Sequence, residues 1–312
     1  MNFYAGVTDT NWFNYLSGIN PEDVNFWRPG GNSAFKALET GAPFLFKLKA
    51  PANAIGGIGF FSSYSALPIP MVWEIFGNRN GTDTYDKFYS SIKQFRAANN
   101  SLNANPNVGC IVLTNPVFFK KEDWIPINWG SGIVQGKGYS TEVQDGRELW
   151  QRVQNVLHKY PVANIEDSKN QFIINEPVEQ YGNSVLTKVR LGQGAFRVLL
   201  TDTYQRKCAI SGEKTLPVLE AAHIKPYAQS GTHEISNGLL LRSDIHKLFD
   251  TGYVTITNDL KVEVSKRIKE EFENGREYYK FQGQSLAVIP QEIINRPNSG
   301  YIEWHNNNIF KG

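Results

Sequence analysis

Three of the chain's five histidines fall in one stretch, LEAAHIKPYAQSGTHEISNGLLLRSDIHKLFDTG, residues 219–252. They are His223, His233 and His246, and the carboxylate of Asp250 follows four positions after the last. On a helix, residues four apart share a face. His246 and Asp250 can therefore hold a divalent ion that neutralises a scissile phosphate and stabilises the departing oxyanion. A neutral His223, whose ordinary pKa lies near working pH, can take the proton from an attacking water. Asn237 can hold the His223 loop through side-chain-to-backbone hydrogen bonds. Together these residues suit one-metal phosphodiester hydrolysis. His233 matches no part of this pattern and is expected to be a bystander. Arg242 and Lys247 can contact phosphates, or simply be solvated.

The elements that must position these groups are short. VLEAA leads into His223 as a strand, which Pro226 helps to end. NGLLL (237–241) suggests a turn feeding a second strand. RSDIHKLFDTG then reads as a helix with Ser243 as N-cap and Gly252 as its stop. The order is strand, loop, strand, helix, with polar groups converging from the first strand and the helix.

The set His223, Asn237 and His246 resembles the HNH (ββα-metal) endonucleases, in particular the restriction-enzyme branch carrying "AAHI", "NGLLL" and "IH–LFD–G" segments. The resemblance extends through LGQGAFRVLLTDTYQRKCAISG upstream and through GYVTIT and YIEWHNNNIF downstream. It implies His223 as general base, Asn237 as orienting residue, and His246 with Asp250 on the metal side, with Mg²⁺ or Mn²⁺ as the cofactor. Many such enzymes place a metal ligand immediately before the base, where this chain has Ala222. Glu220 has the same strand parity and can substitute. Alternatively, His246 and Asp250 act with water and phosphate oxygens alone.

The remainder of the chain supplies context. Residues 43–50, 55–64 and 108–119 read as strands, and 86–98 has the helical spacing of Phe88, Ile92 and Phe95. VTDTNWFNYL, DVNFWRP, GAPFLFKLKAP, IGGIGFFSSY and MVWEIFGNRNG are similar to the reader domains of modification-dependent restriction enzymes. These belong to the PUA-like superfamily, with EVE, ASCH, YTH and SRA types. The resemblance implies an aromatic pocket that takes a flipped modified base by stacking and edge hydrogen bonds. Its candidates are Trp27, Trp12, Phe60, Ser62, Tyr64 and Trp73. Asn25, Arg28 and Ser63 are candidate polar partners, and the glycines at 56, 57 and 59 would admit the nucleotide.

The expected fold is α+β: a PUA-like β-barrel reader over residues 1–145, a helical and linker segment over 146–185, and a ββα-metal HNH nuclease domain over 186–312. With two cysteines, Cys110 and Cys208, neither a disulfide framework nor a structural zinc site is expected. A net charge of +2 leaves room for a local basic groove without announcing one. No apolar run suits a membrane span or a secretory leader, so the expected setting is cytoplasmic. The GQG at 192–194 and GKG at 136–138 lack phosphate-loop context and read as turns. The function expected is a defence endonuclease acting on double-stranded DNA with modified cytosine, 5-methyl or 5-hydroxymethyl. A homodimer is one way for it to break both strands. The alternative is a non-catalytic nucleic-acid-binding protein on a degenerate HNH scaffold.

Overall fold

A computed structural model describes residues 1–30, 34–98, 107–130, 132–160 and 192–312. The chain divides into two compact units, Met1–Ala195 and Phe196–Gly312.

The first unit is built on one mixed sheet. Its elements are β1 (Asn2–Thr8), α1 (Thr10–Ile19), β2 (Asp23–Arg28), β3 (Pro43–Leu48), β4 (Ala54–Pro68), α2 (Ile69–Phe76), α3 (Tyr85–Ala98), β5 (Asn107–Phe118), β6 (Ile125–Pro126), β7 (Gly136–Ser140) and α4 (Gln144–Leu157). The sheet order is β2-β5-β4-β3-β1-β7, with β6 paired to β4. β1 and β3 run parallel, and the other pairings are antiparallel. β5 and β4 separate β2 from β3 in the sheet, yet Phe26 of β2 packs at 4.8 Å on Phe44 of β3. The Arg28 guanidinium at the other end of β2 donates to Gln135 Oε1 beside β7 at 2.9 Å. The sheet is therefore curled until its two edges approach, although β2 and β7 are not paired among the described residues.

Both faces of this sheet carry a core. One gathers Trp12, Phe13, Leu16, Phe44, Phe46, Phe61 and Leu113. The other gathers Phe3, Leu45, Ile55 and Ile58 with Leu149 and Val153 of α4. The sequence pattern assigns α4 to the linker segment, but the helix packs on the sheet of the first unit because Leu149 and Val153 present one apolar face to it. The rest of the expected linker, residues 161–191, lies outside the described residues. The glycines of β4 have a packing explanation. A Cβ at Gly57 would lie 2.5 Å from the Val117 carbonyl oxygen, and one at Gly56 would lie 2.7 Å from the Leu48 side chain. They permit close approach of strand to strand rather than of a nucleotide.

The second unit comprises α5 (Gln193–Thr203, whose first turn precedes the unit boundary), β8 (Leu219–His223), β9 (Gly238–Arg242), α6 (Ser243–Asp250), β10 (Val254–Ile256), β11 (Val262–Val264), α7 (Arg267–Phe272), α8 (Arg276–Tyr279) and α9 (Ser299–Asn308). Its core includes Phe196, Leu200, Tyr204, Leu239, Leu240, Leu241 and Phe249, all fully or almost fully buried. The hairpin β8–β9 fits tightly against α5: a Cβ at Gly238 would lie 2.6 Å from Leu200 and 2.8 Å from Phe196. His305 of α9, buried at 2 % exposure, stacks on Phe249 and is satisfied by Thr255 Oγ1 and the Phe249 carbonyl. Burial lowers its pKa, as suits a neutral structural histidine.

Candidate active site

The catalytic candidates sit on a ββα unit. β8 and β9 pair antiparallel, with Glu220 opposite Leu241 and His223 opposite Gly238. α6 starts on the residue after β9. The connection before β9 is a single helical turn over Ile235–Asn237, and Gly238 is extended, so no Asn-Gly hairpin turn forms. Ser243 is the first helical residue rather than the cap. Arg242 holds the N-cap position without a side-chain cap bond, and it instead grips Asp244 through two bonds of 2.6 and 2.7 Å. That pair lowers the Asp244 pKa, with Tyr278 adding a further hydrogen bond. Gly252, at φ +80°, adopts the left-handed conformation that follows the helix.

His246 is held from both sides. Its Nδ1 lies 2.6 Å from Glu220 Oε2, and its Nε2 lies 3.2 Å from Asp250 Oδ2. Burial alone would lower its pKa, but hydrogen bonds to Asp250 and Glu220 outweigh burial and raise it. Among the described residues no group of three or more His, Cys, Asp or Glu side chains is arranged to hold an ion by itself. Two groups do offer donors side by side, His246 Nε2 and Asp250 Oδ2. An imidazole nitrogen with a carboxylate oxygen is a donor set that suits a small divalent cation completing its shell with water and phosphate oxygens. Glu220 stands behind the imidazole, on the nitrogen away from Asp250. Ala222 is fully buried.

His223 lies in a different environment. Its Nε2 is 2.9 Å from Nδ1 of His233. Its ring stacks on Phe196 of α5, centroids 4.3 Å apart and planes 13° apart. Burial is the main cause that pushes its pKa down to about 4, and the nearby His233 and His246 add to the effect while Asp250 opposes it. It is therefore a neutral imidazole at working pH. Asn237, with no exposed surface, clamps the loop that follows His223. Its Oδ1 accepts from Lys225 N at 2.9 Å, and its Nδ2 donates to the carbonyls of Lys225 at 3.0 Å and Thr232 at 2.8 Å. These bonds explain why His233, expected to be a bystander, lies beside His223. Ten residues separate the two histidines, and the loop closure made by Asn237 brings them together.

Lys247 is exposed on α6, whereas Arg242 is engaged with Asp244. Cys208 is buried, and its Sγ accepts from the backbone of Ser211 and Arg242, each at 3.3 Å.

In the first unit the expected pocket residues divide between the two faces of the sheet: Trp12, Trp27 and Tyr64 join one core cluster, and Phe60 joins the other. Trp27 lies edge-on to Phe88 and Phe95 of α3, and donates Nε1–H to the Asn80 carbonyl. Trp73 packs on Phe88 and Tyr85. Phe60 packs with the α4-side core. Trp12 is buried and donates to the Asn25 carbonyl. Tyr64 is half-buried against the other core, and a Cβ at Gly109 would lie 2.6 Å from its hydroxyl. Burial raises the pKa of both Tyr4 and Tyr64, and the positive charge of Arg28 acts against it at each. The two phenols and the guanidinium thus share one region, with Phe35 packed edge-on to Tyr4 at 5.2 Å. The hydroxyls of Ser62 and Ser63 are buried and have no hydrogen-bond partner among the described residues.

Residues 208–257 match the family model described as HNH endonuclease. No curated protein matches the chain. Among solved structures it is similar to a modification-dependent TagI restriction endonuclease, at 23% identity over 39% of each chain and a TM-score of 0.28. It is also similar to the ASCH protein from Zymomonas mobilis, at 8% identity over 49% of this chain and 94% of that one, with a TM-score of 0.33. A single-site mutant of that ASCH protein gives 9% identity over 48% of this chain and 96% of that one, with a TM-score of 0.32. The chain thus spans 39% of the length of the TagI structure. The family match coincides with the ββα unit that carries His223, Asn237, His246 and Asp250.

Proposed function

We propose that the chain is a modification-dependent DNA endonuclease, working in the cytoplasm as a defence enzyme against modified foreign DNA. The observation that carries the reading is the division of labour between two histidines. His223 is kept neutral by burial, and His246 is held between two carboxylates. The first can accept a proton, and the second can serve as a ligand whose far nitrogen is anchored by Glu220.

HNH endonucleases generally use a divalent metal, and His246 Nε2 with Asp250 Oδ2 would hold it, Mg²⁺ or Mn²⁺. When bound, the ion would supply charge neutralisation at the scissile phosphate and the departing oxygen. The chain's own residues do the rest. His223 accepts a proton from water at Nδ1, the ring nitrogen that no described residue engages. Asn237 keeps the His223 loop in place. Exposed Lys247 contributes a phosphate contact, while Arg242 braces the strand–helix junction through Asp244.

The first unit would read the modified base. Of the pocket candidates, Tyr64 is the one that shares the field of Arg28, and the pocket centres on Tyr4, Arg28, Phe35 and Tyr64. The hydroxyls of Ser62 and Ser63 are available for a base edge. Trp27 and Trp73 pack on α3 through Phe88. The substrate would be double-stranded DNA carrying 5-methyl- or 5-hydroxymethylcytosine, flipped into this pocket. One HNH site cuts one strand, so a double-strand break requires a homodimer or two separate nicks. Among the described residues no helix is long and apolar enough to cross a membrane.

The test is incubation of plasmids with unmodified, 5-methyl- and 5-hydroxymethylcytosine in Mg²⁺, Mn²⁺ or chelator. Cleavage of modified plasmid with metal is expected. Binding without cleavage of any substrate under either metal would establish the scaffold alternative instead. Tyr64→Ala and Arg28→Ala should reduce preference for modified DNA more than Trp27→Ala. The reverse order would move the pocket to α3.

A further inference from the structure

We propose that His233 is a positioning residue for the general base, selecting the tautomer of His223 that can accept a proton. The inference rests on the assignment of His223 as base.

The geometry is constrained on every side. His233 Nδ1 and His223 Nε2 are 2.9 Å apart, with ring planes inclined at 57°. Tyr227 lies flat on the His233 ring, centroids 4.6 Å apart and planes 12° apart. Phe196 lies flat on His223 and tilted on His233. The backbone on both sides of His233 is anchored as well. The Thr232 carbonyl accepts from Asn237, the Thr232 hydroxyl meets Tyr301 at 3.1 Å, and the Tyr301 hydroxyl donates to Glu234 at 3.3 Å. A solvated loop histidine requires none of these contacts.

When both imidazoles are neutral, the one hydrogen bond between them carries a single proton. If His233 Nδ1 accepts, His223 carries its proton on Nε2, and its Nδ1 lone pair is open to water. If His223 Nε2 accepts instead, its proton sits on Nδ1, and the ring cannot act as base toward that side. Neutral imidazole offers one donor and one acceptor nitrogen, so the orientation of this one bond decides whether the base exists. When the water proton arrives at Nδ1, the Nε2–H bond to His233 also steadies the resulting imidazolium. The other titratable groups that face His223 are His246 and Asp250 of α6, and neither bonds to its ring.

The test uses the full-length protein. Ring ¹⁵N spectra of His223 without metal should show the proton on Nε2 in the wild type, and a mixture or the Nδ1–H form in His233→Ala. His233→Ala should lower kcat by about 10–100-fold with KM unchanged, the usual scale for losing a partner behind a reacting group. His233→Asn places an amide oxygen near the position of Nδ1, and should restore both the tautomer and most of the rate. A wild-type His223 protonated on Nδ1 would overturn the inference without any variant. So would wild-type rates in His233→Ala, or a loss that Asn fails to rescue while the tautomer stays unchanged. The spectra report on His233 even if no DNA is cut, so failure of this inference is distinct from failure of the nuclease assignment.

Discussion

Replacing Asn237 should unfasten the nuclease loop, and the cost can be worked from its three bonds. The side chain has no exposed surface, and its amide satisfies Lys225 N, Lys225 O and Thr232 O at 2.8–3.0 Å. Asn237→Ala leaves these three backbone groups without partners. A buried polar group so orphaned costs about 1–3 kcal/mol, and water entering the vacated space recovers part of it, which puts the loss at about 3–5 kcal/mol. A domain stable by about 5–15 kcal/mol would be left marginal. Asn237→Asp is the sharper variant. It preserves shape and the bond from Lys225 N, but it turns a carboxylate oxygen toward two carbonyl oxygens. It should be at least as damaging at neutral pH, and partly relieved in acid, where the carboxyl can donate one bond. Urea titration of the full chain, followed by hydrogen exchange across residues 219–256, reads the second unit apart from the first. The exchange should accelerate first at Ile224, whose amide donates to the Asn237 carbonyl at 2.9 Å. A loss below about 1 kcal/mol in Asn237→Ala would refute the account, since one bond alone is worth that much.

Other outcomes follow from the same geometry. His223 titrates near 4 when folded and near 6.5 when free, so the unfolded chain binds the extra proton between these values. Its contribution to stability is complete above about pH 6.5 and declines as pH falls toward 4, by about 3 kcal/mol in all. The difference between wild type and His223→Gln measured across pH should show it, and a flat difference would discount the burial of this ring. Glu220→Gln keeps the shape behind His246 but removes the charge, and calorimetry with Mn²⁺ should show affinity about tenfold weaker; equal affinity would separate Glu220 from the ion. Lys247→Ala should lower the salt slope of DNA binding by about one, whereas Arg242→Ala should leave the slope unchanged and cost stability of up to ~1 kcal/mol. Equal changes of slope in both variants would put Arg242 on the phosphates.

Spacing carries some relations and hides others. His246 and Asp250 share a helix, and four residues is one turn, so their meeting is legible in the sequence. The strands on either side are equally plain, because short apolar runs ended by Pro, Gly or Asn have few other ways to fold. The proximity of His223 to His233 is not legible, since it depends on Asn237 reaching back across the loop to Lys225 and Thr232. Glu220 can be suspected from strand parity, yet which nitrogen of His246 it faces is set by the approach of α6 to β8. Ser243 shows the limit of composition. Serine is a good cap, but β9 runs one residue further than the pattern suggests and Arg242 takes that place. The aromatics of the first unit are the hardest to sort. In a curled sheet, core, outer face and pocket all use the same residue types, and only the curvature that brings Phe26 onto Phe44 assigns them.

The abrupt passage from β9 into α6 bears on how this region can vary in length. With no spacer between Arg242 and Ser243, inserting or deleting one residue within 238–245 would turn His246 through about 100° about the helix axis, or flip the strand by one face. Glu220 would then lose its imidazole. Between the two clamps on Lys225 and Thr232, however, residues 227–230 are exposed and include Ser230 in a left-handed turn. Insertions should therefore be accommodated at 228–230, beyond the Tyr227 ring that stacks on His233.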